Sequence, residues 1–163
     1  DVDGLLREPL WDRFWENPTL TYCQRETLLR ARAIAEDQLT EKSGDLDFGL
    51  IHADLVRENV LVDGVHIRFI DFDDGGFGYR LFDIATALYK NTTEPDYISL
   101  QNALLTGYRE ERDIDTELLD VFFALRAMTY VGWIISRIDE AGGASRNERF
   151  IRDAIHWAAR ILN

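Results

Sequence analysis

Three oxygen-bearing side chains define the chemistry open to this sequence. They lie in Ile51-His52-Ala53-Asp54-Leu55-Val56-Arg57-Glu58-Asn59-Val60-Leu61-Val62 and in Phe69-Ile70-Asp71-Phe72-Asp73. A carboxylate such as Asp54 can take the proton of an acceptor hydroxyl. Hard oxygen ligands such as Asn59 and Asp71 suit Mg²⁺ bound to nucleotide phosphates. H-x-D-x-x-x-x-N alone is a weak signal, because its residues are common in loops. An apolar strand on each side, and a second Asp at the end of the second strand, make it specific.

These residues must be gathered by a hairpin. Val60, Leu61 and Val62 form a short strand rich in β-branched residues, and Asp63-Gly64 is a two-residue turn signal of type I′. Val65, Ile67 and Phe69 alternate with His66 and Arg68, which predicts one buried face. A fold at Asp63-Gly64 pairs Val62 with Val65 and Asn59 with Arg68. Asp71 then leaves the second strand at the end where the Asp54–Asn59 loop enters the first.

The two segments resemble the kinase-like phosphotransferase superfamily, in particular its aminoglycoside phosphotransferase and choline kinase-like branch. That branch has a small residue between His and Asp, here Ala53, where protein kinases have Arg. Gly78-Tyr79-Arg80-Leu81-Phe82-Asp83-Ile84-Ala85 is similar to the branch's G-x-x-x-x-D-[LI]-A segment. The sharp resemblance spans roughly residues 48 to 88. It implies Asp54 as catalytic base, Asn59 and Asp71 as Mg²⁺ and nucleotide ligands, and Asp73 as a weaker metal ligand. It makes His52 a structural brace near Asp71, and Asp83 a hydrogen-bonding support of the catalytic loop. Protein kinases place Lys two residues after the catalytic Asp; here that position is Val56, and Arg57 is the nearest positive charge.

The resemblance further implies ATP as phosphoryl donor and a small-molecule acceptor such as an aminoglycoside, amino alcohol, sugar or amino acid. Its fold is mainly α with a small β-hairpin, the C-terminal lobe of a protein kinase-like α+β fold. No G-x-G-x-x-G and no strand ending in Lys precede Asp54. Residues 1–163 are therefore expected to be one domain, the C-lobe, without the N-terminal nucleotide lobe and inactive alone. Its partner would be that lobe of the same enzyme. The surface left near the hairpin and residues 48 to 50 would be apolar and able to drive homodimer formation.

Composition sets outer bounds. The 163 residues are 46% hydrophobic, enough for a packed core. Net charge is −12, from 18 basic and 30 acidic residues, which disfavours nucleic acid and anionic membrane as partners. No apolar run reaches the roughly 20 residues of a membrane span, so a cytoplasmic location is expected. Cys23 stands alone and reads as a buried thiol. His66 and His156 have no partners at metal spacing, so zinc is not expected.

The remaining chain reads as helices. Thr21 and Gln24 form a capping box ahead of a helix over 21–40. Another spans 79–90, and a third follows Asp96 as cap and runs to about 110. From 116 to 138 apolar residues surround the helix, the pattern of a buried element. Gly142-Gly143 ends it, and a capping box at Ser145 and Glu148 opens the last helix. Two alternatives exist for the function. Asp71-Phe72-Asp73-Asp74-Gly75 also resembles the nucleophile motif of haloacid-dehalogenase-like phosphatases, but no convincing strand follows residue 71 to build that fold. The other is a non-catalytic kinase-like binding or regulatory module.

Overall fold

The computed structural model describes residues 1–163. Five helices dominate: α1 (Tyr22–Glu41), α2 (Arg80–Tyr89), α3 (Tyr97–Glu111), α4 (Leu119–Trp133) and α5 (Gly143–Leu162). Four short strands, β1 (Phe48–Ile51), β2 (Val60–Asp63), β3 (His66–Phe69) and β4 (Gly76–Tyr79), form two antiparallel pairs, β1 with β4 and β2 with β3. The chain divides into two compact units, Asp1–Asp45 with Asp120–Asn163, and Leu46–Leu119.

In the first unit, α1 begins where its capping box places it. Thr21 Oγ1 accepts from Gln24 N, and Gln24 Oε1 accepts from Thr21 N at 2.9 Å. Leu28, Ala31, Ala35 and Leu39 recur at helical spacing and are fully buried, and this stripe carries the packing of α1 on α5. Val121 to Thr129 of α4 are buried without a break, as an all-round apolar helix requires. Phe123 stacks on Trp157 of α5 at 4.4 Å. The buried polar groups close on one another: Asn17 Nδ2 donates to Val131 O and Asn147 Oδ1, and Asn147 Nδ2 donates to Thr19 Oγ1. This satisfies groups whose burial would otherwise cost free energy.

Several expectations are corrected here. The helix read over 116–138 is shorter: α4 stops at Trp133 and a single 3₁₀ turn, Ile135–Arg137, follows. Gly142-Gly143 does not merely end that element. Gly142 is the N-cap of α5, with φ at 75°, and Ser145 lies inside the helix rather than capping it. Glycine serves there because positive φ is open to it without a Cβ clash. Asp96 occupies the N-cap of α3 but its side chain makes no capping bond. Cys23 is exposed rather than buried, because it sits in the first turn of α1 off the Leu28–Leu39 stripe.

In the second unit the hairpin forms, with its turn one residue later than predicted. Asp63 pairs with His66 and Val60 with Phe69, leaving Gly64-Val65 as the loop. Gly64 alone has positive φ, 60°. That fits a turn with Gly at its first central position, whereas type I′ needs positive φ at both. Moving the register by two residues keeps side-chain parity, so Val62, Ile67 and Phe69 still share a set. The buried face, however, is not formed. Leu61, Val62, Val65, Ile67, Phe69, Ile70 and Phe72 are all exposed, Val65 to 92%. Nothing within the unit covers them; Phe48, Leu50 and Phe77 of the other sheet are exposed as well.

A further correction is β4. The sequence shows no convincing strand after residue 71, because Gly76 and Gly78 weaken the strand signal, and it starts a helix at Tyr79. In the structure these residues pair with β1 from Phe48↔Tyr79 to Ile51↔Gly76. A strand therefore does follow residue 71. Both sheets are antiparallel, so the parallel sheet required by a haloacid-dehalogenase-like phosphatase is not built.

Candidate active site

The site is assembled from the connection between β1 and β2. After β1 the chain passes His52 and Ala53 and reaches Asp54. A 3₁₀ turn, Arg57–Asn59, then leads into β2. Ala53 has φ at 66°, a left-handed conformation that residues with a Cβ rarely adopt. Asp83, in the first turn of α2, holds this bend. Its Oδ2 accepts the His52 amide at 2.7 Å and its Oδ1 accepts the Ala53 amide at 2.8 Å. A charged acceptor on two successive amides fixes the backbone immediately before Asp54.

Asn59 closes the loop from the other side. Its Nδ2 donates to Asp54 O at 2.9 Å and lies 3.4 Å from Asp54 Oδ2. The Asn59 side chain is buried, and Asp54 is half-buried. With the amide NH₂ committed to Asp54, the amide oxygen is the Asn59 atom left to accept a cation. Val56 is buried rather than offering a charge. Arg57 points elsewhere, donating to Asn91 Oδ1 with Glu94 Oε1 at 3.6 Å. Glu58 takes both of its short contacts from Lys90 Nζ, at 2.7 and 2.9 Å, and this hydrogen bond holds its carboxyl below the ordinary range.

Asp71 lies two residues beyond β3, and the residue before it is tied on both sides. Ile70 N donates to Asn59 O at 3.1 Å, and His52 Nε2 meets Ile70 O at 2.9 Å. A carbonyl oxygen only accepts, so this contact has Nε2–H as its donor. The same imidazole lies against Phe72, with ring centroids 4.4 Å apart. His52, 5% exposed, thus grips the chain immediately before and after Asp71. Asp71 itself has φ at 66°. Strained backbone of this kind persists where surrounding contacts over-determine it.

Asp54, Asn59 and Asp71 therefore share one hydrogen-bonded frame. Asp73 and Asp74 lie on the exposed turn after it, and no such bond ties Asp73 to the frame. No three His, Cys, Asp or Glu side chains converge as a ready-made metal cage. The donor set is one amide oxygen and one carboxylate, both hard oxygen ligands. It fits a Mg²⁺ ion that completes its octahedron with phosphate oxygens and water. His66 and His156 are exposed and take no part.

Sequence reasoning did not find Asp47, Arg80 or Arg112. Asp47 Oδ1 accepts from Arg80 Nη1 at 2.5 Å, and Asp47 Oδ2 accepts from Arg112 Nε at 2.6 Å. The Arg112 hydrogen bond leads the causes that keep the Asp47 carboxyl below its ordinary range. Burial pushes the Tyr79 phenol up. No helix is long and apolar enough to cross a membrane.

Comparison with known proteins agrees with this geometry. A sequence profile described as "Phosphotransferase enzyme family" matches residues 4–118. A homoserine kinase of Neisseria meningitidis serogroup B is 32% identical over 123 residues, covering 72% of this chain and 40% of that protein. An amicoumacin kinase of Bacillus subtilis is 33% identical over 110 residues, covering 60% of this chain and 32% of that protein. The solved structure of a microcompartment-associated aminopropanol kinase superposes with a TM-score of 0.85 at 29% identity. That superposition covers 99% of this chain and 53% of the other, and it bears out the expected kinase-like fold. The chain spans about half the length of the solved relative, and less of the two curated ones.

Proposed function

The chain belongs to the phosphotransferase enzyme family, and from that premise we propose that residues 46–119 carry the catalytic loop of an ATP-dependent small-molecule kinase. The reaction transfers the γ-phosphoryl group of ATP to a hydroxyl of the acceptor. The observation that carries the reading is the double anchoring of Ile70, by Asn59 O and by the His52 ring. It binds the Asp54–Asn59 loop and Asp71 into one frame.

Within this reading Asp54 orients the acceptor hydroxyl and accepts its proton. General-base catalysis of this kind contributes about 10²–10⁴-fold. Asn59 keeps Asp54 in place through its NH₂, and its amide oxygen would serve as a metal ligand. Asp71 supplies the second protein ligand, with Asp73 a weaker one. Mg²⁺, when bound, neutralises charge on the transferring phosphate. His52 and Asp83 hold the backbone on which these groups stand.

Homoserine kinase and aminopropanol kinase are both named for acceptors that bear an amine and a hydroxyl. This supports a small amine-bearing alcohol as the acceptor here, and the net charge of −12 favours a cationic one. The length of the relatives supports further nucleotide contacts from a preceding lobe of a longer chain. Residues 1–163 would then act as the catalytic and acceptor-binding lobe of a cytoplasmic enzyme, inactive when isolated. The exposed hairpin face would meet that lobe, or a second copy in its absence. A non-catalytic kinase-like module is the alternative. The deciding experiment measures ADP release by the full-length protein with Mg-ATP and a panel of amino alcohols, amino acids, sugars and aminoglycosides. Turnover stimulated by an amine-bearing alcohol is expected. ADP release that no member of the panel stimulates would favour the non-catalytic module.

A further inference from the structure

The first turn of α2 is fastened to both ends of β1. Asp83 takes the His52 and Ala53 amides just past the strand's C-terminal end. Three residues earlier on the same helix, Arg80 holds the other end. Its backbone N donates to Asp47 O at 3.0 Å. Its guanidinium Nη1 donates to Asp47 Oδ1 at 2.5 Å and to Phe48 O at 3.2 Å. Residues three apart lie on one helix face, so Arg80 and Asp83 form a single bracket spanning the four residues of β1.

Two further observations show that the Asp47 end is built rather than incidental. The Arg80 guanidinium lies directly over Gly49, where any Cβ would fall inside it. A side chain at that position would displace the guanidinium from its present approach to Asp47. Arg112, at the C-terminal end of α3, grips the same carboxylate through Nε at 2.6 Å and Nη2 at 3.2 Å. Asp47 and Arg80 are largely shielded, with side chains 21% and 23% exposed, and this sets them apart from a surface ion pair of little consequence.

We propose that Asp47 and Arg80 are positioning residues for phosphoryl transfer: they fix the first turn of α2, so that Asp83 keeps the backbone before Asp54 in its left-handed bend. This rests on the role of Asp54 proposed above. The pair touches no reacting atom and acts through Asp83. A misplacement of about 1 Å at a reacting group can lower the rate about 10²-fold. Loosening this bracket should therefore reduce kcat while leaving substrate affinity largely intact.

The test uses the full-length protein with Asp47→Asn, Arg80→Gln, Asp47→Glu and Gly49→Ala. Gly49→Ala displaces the guanidinium without altering either charged partner. Amide hydrogen exchange at His52 and Ala53 is followed with steady-state kinetics. The expected result is exchange at these two amides about tenfold faster, with α5 amides unchanged. With it comes a drop in kcat of about 10–100-fold and KM values within about threefold. Asp47→Glu, which keeps the charge, should recover part of kcat. Unchanged exchange at His52 and Ala53, or faster exchange with full kcat, would overturn the proposal. So would a uniform rise in exchange over residues 46–119, which marks general destabilisation. If Asp54→Asn retained full turnover, the functional reading would fall; exchange at the two amides would still decide whether the bracket holds the loop.

Discussion

Replacing Asp83 by Asn tests the frame of the site at its most heavily used side chain. One carboxylate accepts two amides, from His52 at 2.7 Å and Ala53 at 2.8 Å. Both residues are buried, at 5% exposure each, so water cannot readily replace a lost acceptor. Hydrogen bonds to a charged group are worth about 1.5–3 kcal/mol each. Asn keeps one acceptor oxygen and turns an NH₂ toward the other amide, so about one bond of the two is lost. Ala53 also has φ at 66°, and its left-handed bend costs about 1–2 kcal/mol that the pair of bonds offsets. The local opening free energy should therefore fall by about 2–3 kcal/mol. At about 1.4 kcal/mol per factor of ten, that is roughly 30- to 140-fold faster exchange at one or both amides. The assay is residue-resolved hydrogen exchange on the full-length protein, with turnover measured in parallel. Exchange within about threefold of the parent would refute the claim that Asp83 holds the loop.

Three further outcomes are expected. Asp47 has its carboxyl held low chiefly by the Arg112 hydrogen bond, so its stabilising effect is complete above the ordinary Asp value of about 4 and is lost as pH falls through the lower folded value. The stability difference between parent and Asp47→Asn should be constant from about pH 5 to 8 and shrink below about pH 4 in denaturant titrations. Gly132→Ala should destabilise by about 1–3 kcal/mol in urea unfolding, because the added Cβ meets the Trp11 and Asp12 carbonyl oxygens, which are backbone and cannot swing aside. Asp71→Ala should weaken Mg-dependent nucleotide binding far more than Asp73→Ala in calorimetry, since only Asp71 follows the doubly anchored Ile70.

The parts of this structure legible in the sequence are those written in local chemistry. Thr21 and Gln24 announced α1 because a capping box lies within four residues. The hairpin was legible from its apolar runs and Gly64, but its turn was placed one residue early because Asp-Gly and Gly-Val both satisfy the single positive φ that forms. The exposure of Ile67 and Phe69 was hidden by their alternation, which reports a face able to be buried and not whether anything covers it. Strand β4 is not legible in the sequence because Gly76 and Gly78 supply no side-chain pattern; backbone pairing and the Phe48–Tyr79 ring contact at 5.4 Å hold it to β1. Motif spacing singles out Asp54, Asn59 and Asp71 as candidates. It does not single out Asp47, Arg80 and Arg112, since their bonds join residues 33 and 65 positions apart and leave no periodic trace.

The central claim is that Asp54 is the proton acceptor in a phosphoryl transfer. The most direct measurement compares the full-length parent and Asp54→Asn in single turnover with Mg-ATP and the acceptor that the substrate panel selects, alongside calorimetric binding of the nucleotide. Asn preserves the shape of the side chain and the Asp54 carbonyl that receives Asn59 Nδ2. Nucleotide affinity should therefore stay within a few-fold of the parent, while the transfer rate falls by about 10²–10⁴-fold. A variant that transfers phosphate within a few-fold of the parent would contradict the account.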